Sequence, residues 1–282
     1  MTATLKGAAL TEQRVEFIDI TKGFGMLLVA WGHIMLGGWT NIFIYSFHMP
    51  LFFILSGMLF DRSRYSSFQE FFVKRVKRLF IPYVVYSTIT WCVWVAYSIA
   101  LNQKPDNLWM PLLQTFIAQG SGGFLVHNVP LWFVTCMFLT EIAYYWIDRL
   151  PEKINALVCS LSIIFGYVLI EKLDITLLPW SIEVVFVAIL FYAVGNIFCK
   201  HVNLSDFQKW VEGKKGMAIC AICVLGLVTF AGSQITGHIS LGSDCLGNNI
   251  ALLLVDAIAG SLITILLCIL LGGVSSRHLI NG

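Results

Sequence analysis

Residues 250–271 read IALLLVDAIAGSLITILLCILL, an apolar run with a single charged side chain, Asp256. A helix needs about 20 mostly apolar residues to cross the hydrocarbon core of a bilayer. By the same measure the chain is predicted to cross the membrane at residues 17–36, 42–60, 79–101, 130–147, 154–170, 179–199, 217–230 and 250–271. We therefore expect an all-α, polytopic transmembrane helical bundle with about eight spans.

The composition of the whole chain leads to the same fold class. Of its 282 residues, 58% are hydrophobic and 12% are charged, and its mean hydropathy is +0.81. Soluble domains carry about 25% charged residues, and a soluble core of this size cannot hide so much apolar surface. The apolar runs are also continuous, unlike the alternating strands of a membrane β-barrel. We expect one membrane-embedded domain over residues 1–282, with the lipid bilayer and not nucleic acid as its surroundings.

The distribution of basic residues predicts the orientation. If the N-terminus lies inside, all but Lys104 and Lys172 of the 18 Lys and Arg residues face the cytoplasm. Cytoplasmic loops of membrane proteins carry an excess of Lys and Arg. We therefore expect a cytoplasmic N-terminus.

Three connecting segments have features of their own. Residues 66–78 place aromatic and basic residues near a helical period, which predicts a helix lying in the membrane interface. The outer segment 102–129 is long and contains a Gly-rich stretch at 119–123, and the outer loop 232–249 is polar without Lys or Arg. Long ordered loops are often functional.

The first span carries the densest set of ionisable side chains, and such groups inside a membrane are functional candidates by default. Lys22 and His33 are within about 20° of each other on a helix and about 16 Å apart along its axis. Asp19 lies about 40° from His33, and Met26 and Ala30 fill the stripe between Lys22 and His33. This arrangement indicates a path along one face of the helix from Lys22 to His33. The alternative is an interfacial Asp19–Lys22 ion pair and a histidine that bonds a neighbouring helix.

A second histidine, His48, lies just inside the outer end of the second span, in the run FHMPLFF at residues 47–53. The connection between the two spans is short, so His33 and His48 are expected at comparable depth in an antiparallel hairpin. Two imidazoles can act as general base and orienting partner. A metal site is the weaker interpretation because no third ligand has suitable spacing, and we expect no metal.

Four cations are concentrated at the predicted cytoplasmic face: Lys74, Arg75, Lys77 and Arg78. Arg can bind phosphate through two parallel hydrogen bonds. Basic clusters at this face are also expected from topology and from anionic lipids. Charge alone leaves both interpretations open.

Together these residues resemble the membrane acyltransferase-3 family, in the branch of fucose 4-O-acetylase-like proteins. Residues 18–33, IDITKGFGMLLVAWGH, resemble its first span, in which a basic residue precedes a histidine by eleven positions. FHMPLFF at 47–53 followed by Ser56 and Gly57, RVKR at 75–78 and LWF at 131–133 resemble further family motifs in the same order.

The resemblance implies a bacterial inner-membrane enzyme that transfers an acetyl or succinyl group from cytoplasmic acyl-CoA, above all acetyl-CoA. The acceptor implied is a hydroxyl of a cell-envelope or extracellular polysaccharide, or of its lipid-linked precursor. Family members usually have about ten spans, so the resemblance also implies a C-terminally truncated chain or a short variant.

The resemblance assigns roles to individual positions. His33 is implied as the catalytic histidine and Lys22 as a required basic position. His48 joins them as a catalytic candidate because of its expected pairing with His33, not because of the resemblance. Arg75 and Arg78, with Lys74 and Lys77 beside them, are implied as the site for the CoA phosphates. The candidates on the substrate side are Asp19, Ser121, His127, Trp132 and Glu141.

The principal alternative is a proton-coupled transporter or flippase of a glycan-related substrate, because buried ionisable residues also mark proton pathways. Glu141, Glu183 and Asp256 lie within later spans and are the candidates for such a relay. No paired repeat and no matching pair of broken helices supports this alternative. The acceptor, the acyl group and the oligomeric state stay open from sequence.

Overall fold

The computed structural model describes residues 16–34, 37–102 and 107–280, with residues 273–280 described by their backbone alone. Within these residues the regular secondary structure is helical and contains no strand. The α-helices, numbered α1 to α12, are Glu16–Ile34, Gly38–Tyr45, His48–Met58, Phe68–Arg75, Ile81–Ala100, Met110–Gln114, Trp132–Ile147, Glu152–Glu171, Ile182–His201, Leu204–Gly213, Lys215–Thr236 and Ile250–Ile280. Lys6, Arg14 and Lys104, which entered the orientation argument, lie outside the described residues, as does the side chain of Arg277.

Seven helical segments of the described chain are long and apolar enough to cross a membrane: Gly38–Met58, Phe68–Ala100, Val129–Ile147, Glu152–Glu171, Pro179–His201, Lys215–Thr236 and Ile250–Gly272. The first predicted span, α1, is not among these seven because Asp19, Lys22 and His33 lower its hydropathy. Its 19 residues nevertheless extend about 28 Å at 1.5 Å per residue. The predicted all-α membrane bundle is confirmed, and the protein is a multi-pass membrane protein.

The predicted second span is interrupted in its outer part. Helix α2 ends at Tyr45 and α3 begins at His48, with Phe47 at φ −139° in the turn between them. Pro50 falls in the first turn of α3, where a missing backbone N–H costs nothing. The break therefore comes directly before His48 and not at the proline.

The separate interfacial helix predicted over residues 66–78 is corrected by the structure. Helix α4 begins after Ser67, whose hydroxyl accepts a hydrogen bond from the Glu70 amide, and it continues through a π-helical turn, Val76–Phe80, into α5. Pro82 in the first turn of α5 cannot donate an i→i−4 hydrogen bond, and a π-turn is a common way to change the register of a helix. One continuous helical segment, Phe68–Ala100, replaces the predicted interfacial helix and third span.

Two further boundaries differ from expectation. The seventh predicted span, 217–230, is longer in the structure, at Lys215–Thr236, because its helix continues into the predicted outer loop. The inner connection before it contains α10, which was not predicted and which is capped by Asn203 through the amides of Ser205 and Asp206.

The centre of the bundle is formed by α3 and α9. A Cβ at Gly57 would overlap the backbone carbonyl of Tyr192, and a Cβ at Gly195 would overlap the carbonyl of Ile54. Small residues allow membrane helices to approach this closely. In the most apolar 18-residue window of the segment Phe68–Ala100, by contrast, only 11% of the residues are buried, which suits a helix that faces lipid.

Candidate active site

A cavity of about 400 Å³ lies between α1, the α2–α3 turn, the start of α7 and the outer loop at residues 240–243. Much of its lining is apolar, with Met26, Phe52 and Phe133 among the contributors. The side chains in its lining that can donate a hydrogen bond are His33, Tyr45, His48, Trp132, Ser240 and Ser243. The cavity therefore collects residues from both ends of the sequence around two imidazoles.

The imidazole of His48 is buried and its tautomer is determined by a backbone contact. Its Nδ1 lies 2.9 Å from the carbonyl oxygen of Ile44, and the residue is 4% exposed. A carbonyl oxygen can only accept, so Nδ1 carries the hydrogen. In the neutral ring, Nε2 is then the atom that can accept a hydrogen bond.

His33 lines the same cavity from the last turn of α1. Its side chain is exposed and forms no hydrogen bond with any residue that the structure describes. It contacts the ring of Tyr45 edge-on, at 6.4 Å between ring centroids, and is close enough to His48 to act on it electrostatically. The predicted juxtaposition of the two histidines is confirmed.

The path predicted along α1 from Lys22 to His33 is present over the C-terminal half of the helix. Met26, Val29 and His33 line the cavity, whereas Ala30 does not. Lys22 is half-buried and lies four residues before Met26, about 6 Å along the helix axis. The cavity thus ends about one helical turn from Lys22.

At the end of α1 that carries Lys22, a buried ion pair joins α4 to α7. Arg75 Nε lies 2.9 Å from Glu141 Oε2, and the two side chains are 9% and 7% exposed. Arg75 also donates a hydrogen bond of 3.1 Å to the Tyr65 hydroxyl. Lys22 and Arg78 are close enough to act electrostatically on the same carboxylate. The structure thus brings three cations together around the carboxylate of Glu141.

The four clustered cations differ sharply in environment. Arg75 is buried, whereas Lys74, Lys77 and Arg78 are exposed. Lys74 Nζ lies 2.7 Å from the Glu70 carboxylate, one helical turn away. Arg78 is therefore the exposed arginine of the group and the one best placed to meet a ligand.

Two substrate-side candidates lie with these cations and not with the cavity. Glu141 is paired with Arg75, and Asp19 lies within electrostatic range of Lys22. Trp132, by contrast, lines the cavity. The structure therefore puts these three substrate-side candidates in two separate places.

Ser121 and His127 lie near the cavity without lining it. Ser121 Oγ donates a hydrogen bond of 2.7 Å to Asp244, and Gln119 Nε2 donates one of 2.5 Å to Glu183. The first bond joins the segment 102–129 to the loop 232–249, and the second joins it to α9. Burial raises the pKa of Asp244, although its hydrogen bonds with Ser121 and Glu183 oppose the shift. Burial lowers the pKa of His127.

Tyr45, Gln119 and Asp244 are site residues that the sequence reasoning missed. Asp244 is the one charged residue in the loop 232–249, which is a signal that the sequence contained. No such signal singled out Tyr45, because tyrosine is common near the ends of membrane spans. Its position depends on the break between α2 and α3.

The three carboxylates of the transporter alternative each meet a different partner. Glu141 pairs with Arg75, Glu183 accepts from Gln119, and the Thr236 hydroxyl lies 3.4 Å from Asp256. These contacts act as helix-to-helix and loop-to-helix links, which is the ordinary role of polar groups in membrane bundles. Among the residues of the described chain, no group of three or more His, Cys, Asp or Glu side chains could hold a metal ion.

The protein is a multi-pass helical bundle. Histidines line a cavity at one end of α1, and a cation cluster lies at the other end of α1. These features define the class of protein. The family model described as an acyltransferase domain, that of the acyltransferase-3 family, matches residues 15–282. The chain belongs to this family, and it is a membrane acyltransferase. No curated protein and no solved structure matches the chain.

Proposed function

We propose that this chain is an integral membrane O-acyltransferase of the bacterial inner membrane, with its N-terminus in the cytoplasm. It transfers an acetyl or succinyl group from cytoplasmic acyl-CoA, with acetyl-CoA as the first donor to test. The acceptor is a hydroxyl of a cell-envelope polysaccharide or of its lipid-linked precursor. The observation that carries the proposal is the cavity that His33 and His48 both line.

The charges at the Lys22 end of α1 support a CoA thioester as donor. Lys22, Arg75 and Arg78 act on the carboxylate of Glu141, and Asp19 acts on Lys22, so three cations face two carboxylates and an excess of positive charge is left. Phosphate groups fit such an excess, because hydrogen bonds between ionised partners are the strong ones. Arg75 is already paired with Glu141, so Lys22 and Arg78 would contact the phosphates and Arg75 would hold α4 in place.

The basic residues also support the direction of transfer. Arg78 and its neighbours lie at the face that the Lys and Arg distribution assigns to the cytoplasm. Lys22 lies beside this cluster on α1, and His33 lies at the other end of α1. The acyl group would enter from the cytoplasmic end and react near the outer face, where an envelope glycan is accessible.

The two histidines divide the proton chemistry in this proposal. His33 takes the proton of the acceptor hydroxyl as its oxygen attacks the thioester carbonyl carbon. The carbon–sulfur bond then breaks, and the imidazolium returns the proton to the departing CoA thiolate. His48 Nε2, a hydrogen-bond acceptor in the same cavity, stabilises the imidazolium that forms on His33.

The test uses membranes that contain the full chain, incubated with acetyl-CoA labelled in its acetyl group. The proposal predicts that base-labile label appears in the glycan or lipid-linked sugar fraction and that His33→Ala abolishes it at unchanged protein level. Label that is equal in the His33→Ala membranes contradicts the proposal. Uptake of a glycan precursor into vesicles without acetyl-CoA would support the transporter alternative instead.

A further inference from the structure

The ring of Tyr45 lies among three imidazoles. The distances between ring centroids are 4.7 Å to His48, 6.4 Å to His33 and 5.3 Å to His238. Tyr45 also lines the cavity. Its phenol is therefore at the centre of the site and not at its edge.

The backbone on either side holds the Tyr45 ring in this position. A Cβ at Gly32 would approach Tyr45 Cε2 to 2.8 Å, so the absence of a side chain there allows the ring to rest against α1 one residue before His33. Tyr45 ends α2, and the turn at Ser46 and Phe47 brings His48 against the other side of the ring. Such packing positions the phenol before any substrate arrives.

The hydroxyl of Tyr45 forms no hydrogen bond with any residue in the described part of the chain, so it is available to a ligand. Attack on a thioester produces an oxyanion, and donors aimed at that oxygen are usually the largest single contribution to acyl transfer. The side chains that line the cavity include donors of this kind.

Among those donors, Tyr45 is the one in contact with both histidines. The two imidazoles are engaged with protons in the proposed reaction, and Ser240 and Ser243 lie on the outer loop. Trp132 packs against Gly242 of that loop. Because His33 takes the acceptor proton in the proposed reaction, a phenol in ring contact with His33 lies near the thioester carbonyl that the acceptor attacks.

Building on the proposed function, we propose that Tyr45 is a catalytic residue whose hydroxyl donates a hydrogen bond to the carbonyl oxygen of the acyl thioester. As the acceptor oxygen bonds to the carbonyl carbon, the acceptor proton passes to His33 and the carbonyl oxygen becomes an oxyanion held by the Tyr45 hydroxyl. The carbonyl re-forms as the carbon–sulfur bond breaks, and the thiolate takes the proton from His33. Tyr45 keeps its own proton throughout.

The test is Tyr45→Phe in the full chain, which keeps the ring packing and removes only the hydroxyl. The assay measures release of free CoA from acetyl-CoA by membranes that contain their native acceptor, normalised to the amount of the chain. We expect kcat to fall about 100-fold with KM for acetyl-CoA unchanged. Tyr86→Phe, on the exposed face of α5, is the matched control and should leave kcat unchanged.

Each outcome has one meaning. Wild-type kcat in Tyr45→Phe overturns the inference, and so does a raised KM at unchanged kcat, because the hydroxyl would then act in binding alone. A wild-type chain that transfers no acyl group overturns the proposed function and the inference with it. An active wild type with an equally active Tyr45→Phe chain overturns only the inference.

Discussion

Arg75 and Glu141 form a buried ion pair, 2.9 Å from Nε to Oε2, that links the cation cluster of α4 to the middle of α7. The pair gives Arg75 and Arg78, the two arginines of the motif at residues 75–78, different roles. An arginine committed to a buried carboxylate stabilises the arrangement of helices, while the exposed Arg78 is left for the ligand. The two arginines of one motif therefore predict different phenotypes.

Replacing Glu141 alone should destabilise the protein strongly. Glu141→Gln leaves the Arg75 charge buried without a partner, and breaking such a pair typically costs about 3–5 kcal/mol. The measurement is the thermal unfolding midpoint of the purified chain in detergent. The double variant Arg75→Met/Glu141→Leu should be more stable than Glu141→Gln, and an additive loss in the double variant would contradict the structural role.

Replacing Arg78 should affect donor binding without affecting stability. Its guanidinium is exposed, and it is assigned to a CoA phosphate, so Arg78→Ala should raise KM for acetyl-CoA about tenfold, which corresponds to about 1.4 kcal/mol. The unfolding midpoint should stay that of the wild type. Lys74→Ala is the control, since Lys74 is paired with Glu70 and its loss should change KM little. An equal effect of the two substitutions would refute the assignment.

The contact between α3 and α9 predicts opposite effects for two glycine substitutions. Gly195→Ala places a methyl group against the Ile54 carbonyl, and such overpacking costs about 1–3 kcal/mol. Gly226→Ala on α11 meets nothing within 4 Å and should be neutral or stabilising by up to about 1 kcal/mol. Comparison of the two unfolding midpoints checks the helix packing. An equal change of the unfolding midpoint in both variants would show that the contact between α3 and α9 does not determine the effect of Gly195→Ala.

Asp244 predicts a pH dependence of stability. Burial raises its pKa in the folded protein, so the folded state favours the protonated acid. The stability that this proton contributes is present below the pKa of the unfolded chain and is lost as pH rises through the folded pKa. Asp244→Asn should therefore show a smaller fall of the unfolding midpoint than the wild type as the pH rises from about 4 to about 8. Parallel pH profiles of the two proteins would contradict the assignment.

Much of the fold could be predicted because a membrane span requires a long apolar stretch, which the hydropathy of the sequence shows directly. The apolar length of residues 250–271 is enough to identify a spanning helix. The break before His48 and the continuous helix through Val76–Phe80 could not be predicted in the same way. They depend on side-chain packing and on the local register around Pro82, and neither changes the mean hydropathy of its segment.

The candidate site was predictable where residues lie on one helix. Lys22 and His33 share a face because of helical geometry alone, and His48 followed from the short connection between spans. The Arg75–Glu141 pair and the position of Tyr45 depend on how separate helices pack. Spacing along the chain carries no information about such contacts.

The most direct test of the central claim is mass spectrometry of envelope glycans from cells that express the wild-type chain, His33→Ala or His201→Ala. His201 is the matched control, because it lies at the end of α9, paired with Glu152 and away from the cavity. The account predicts one acetyl or succinyl increment per glycan repeat with the wild type and with His201→Ala, and none with His33→Ala. The same increment with His33→Ala, or no increment with the wild type, would contradict it.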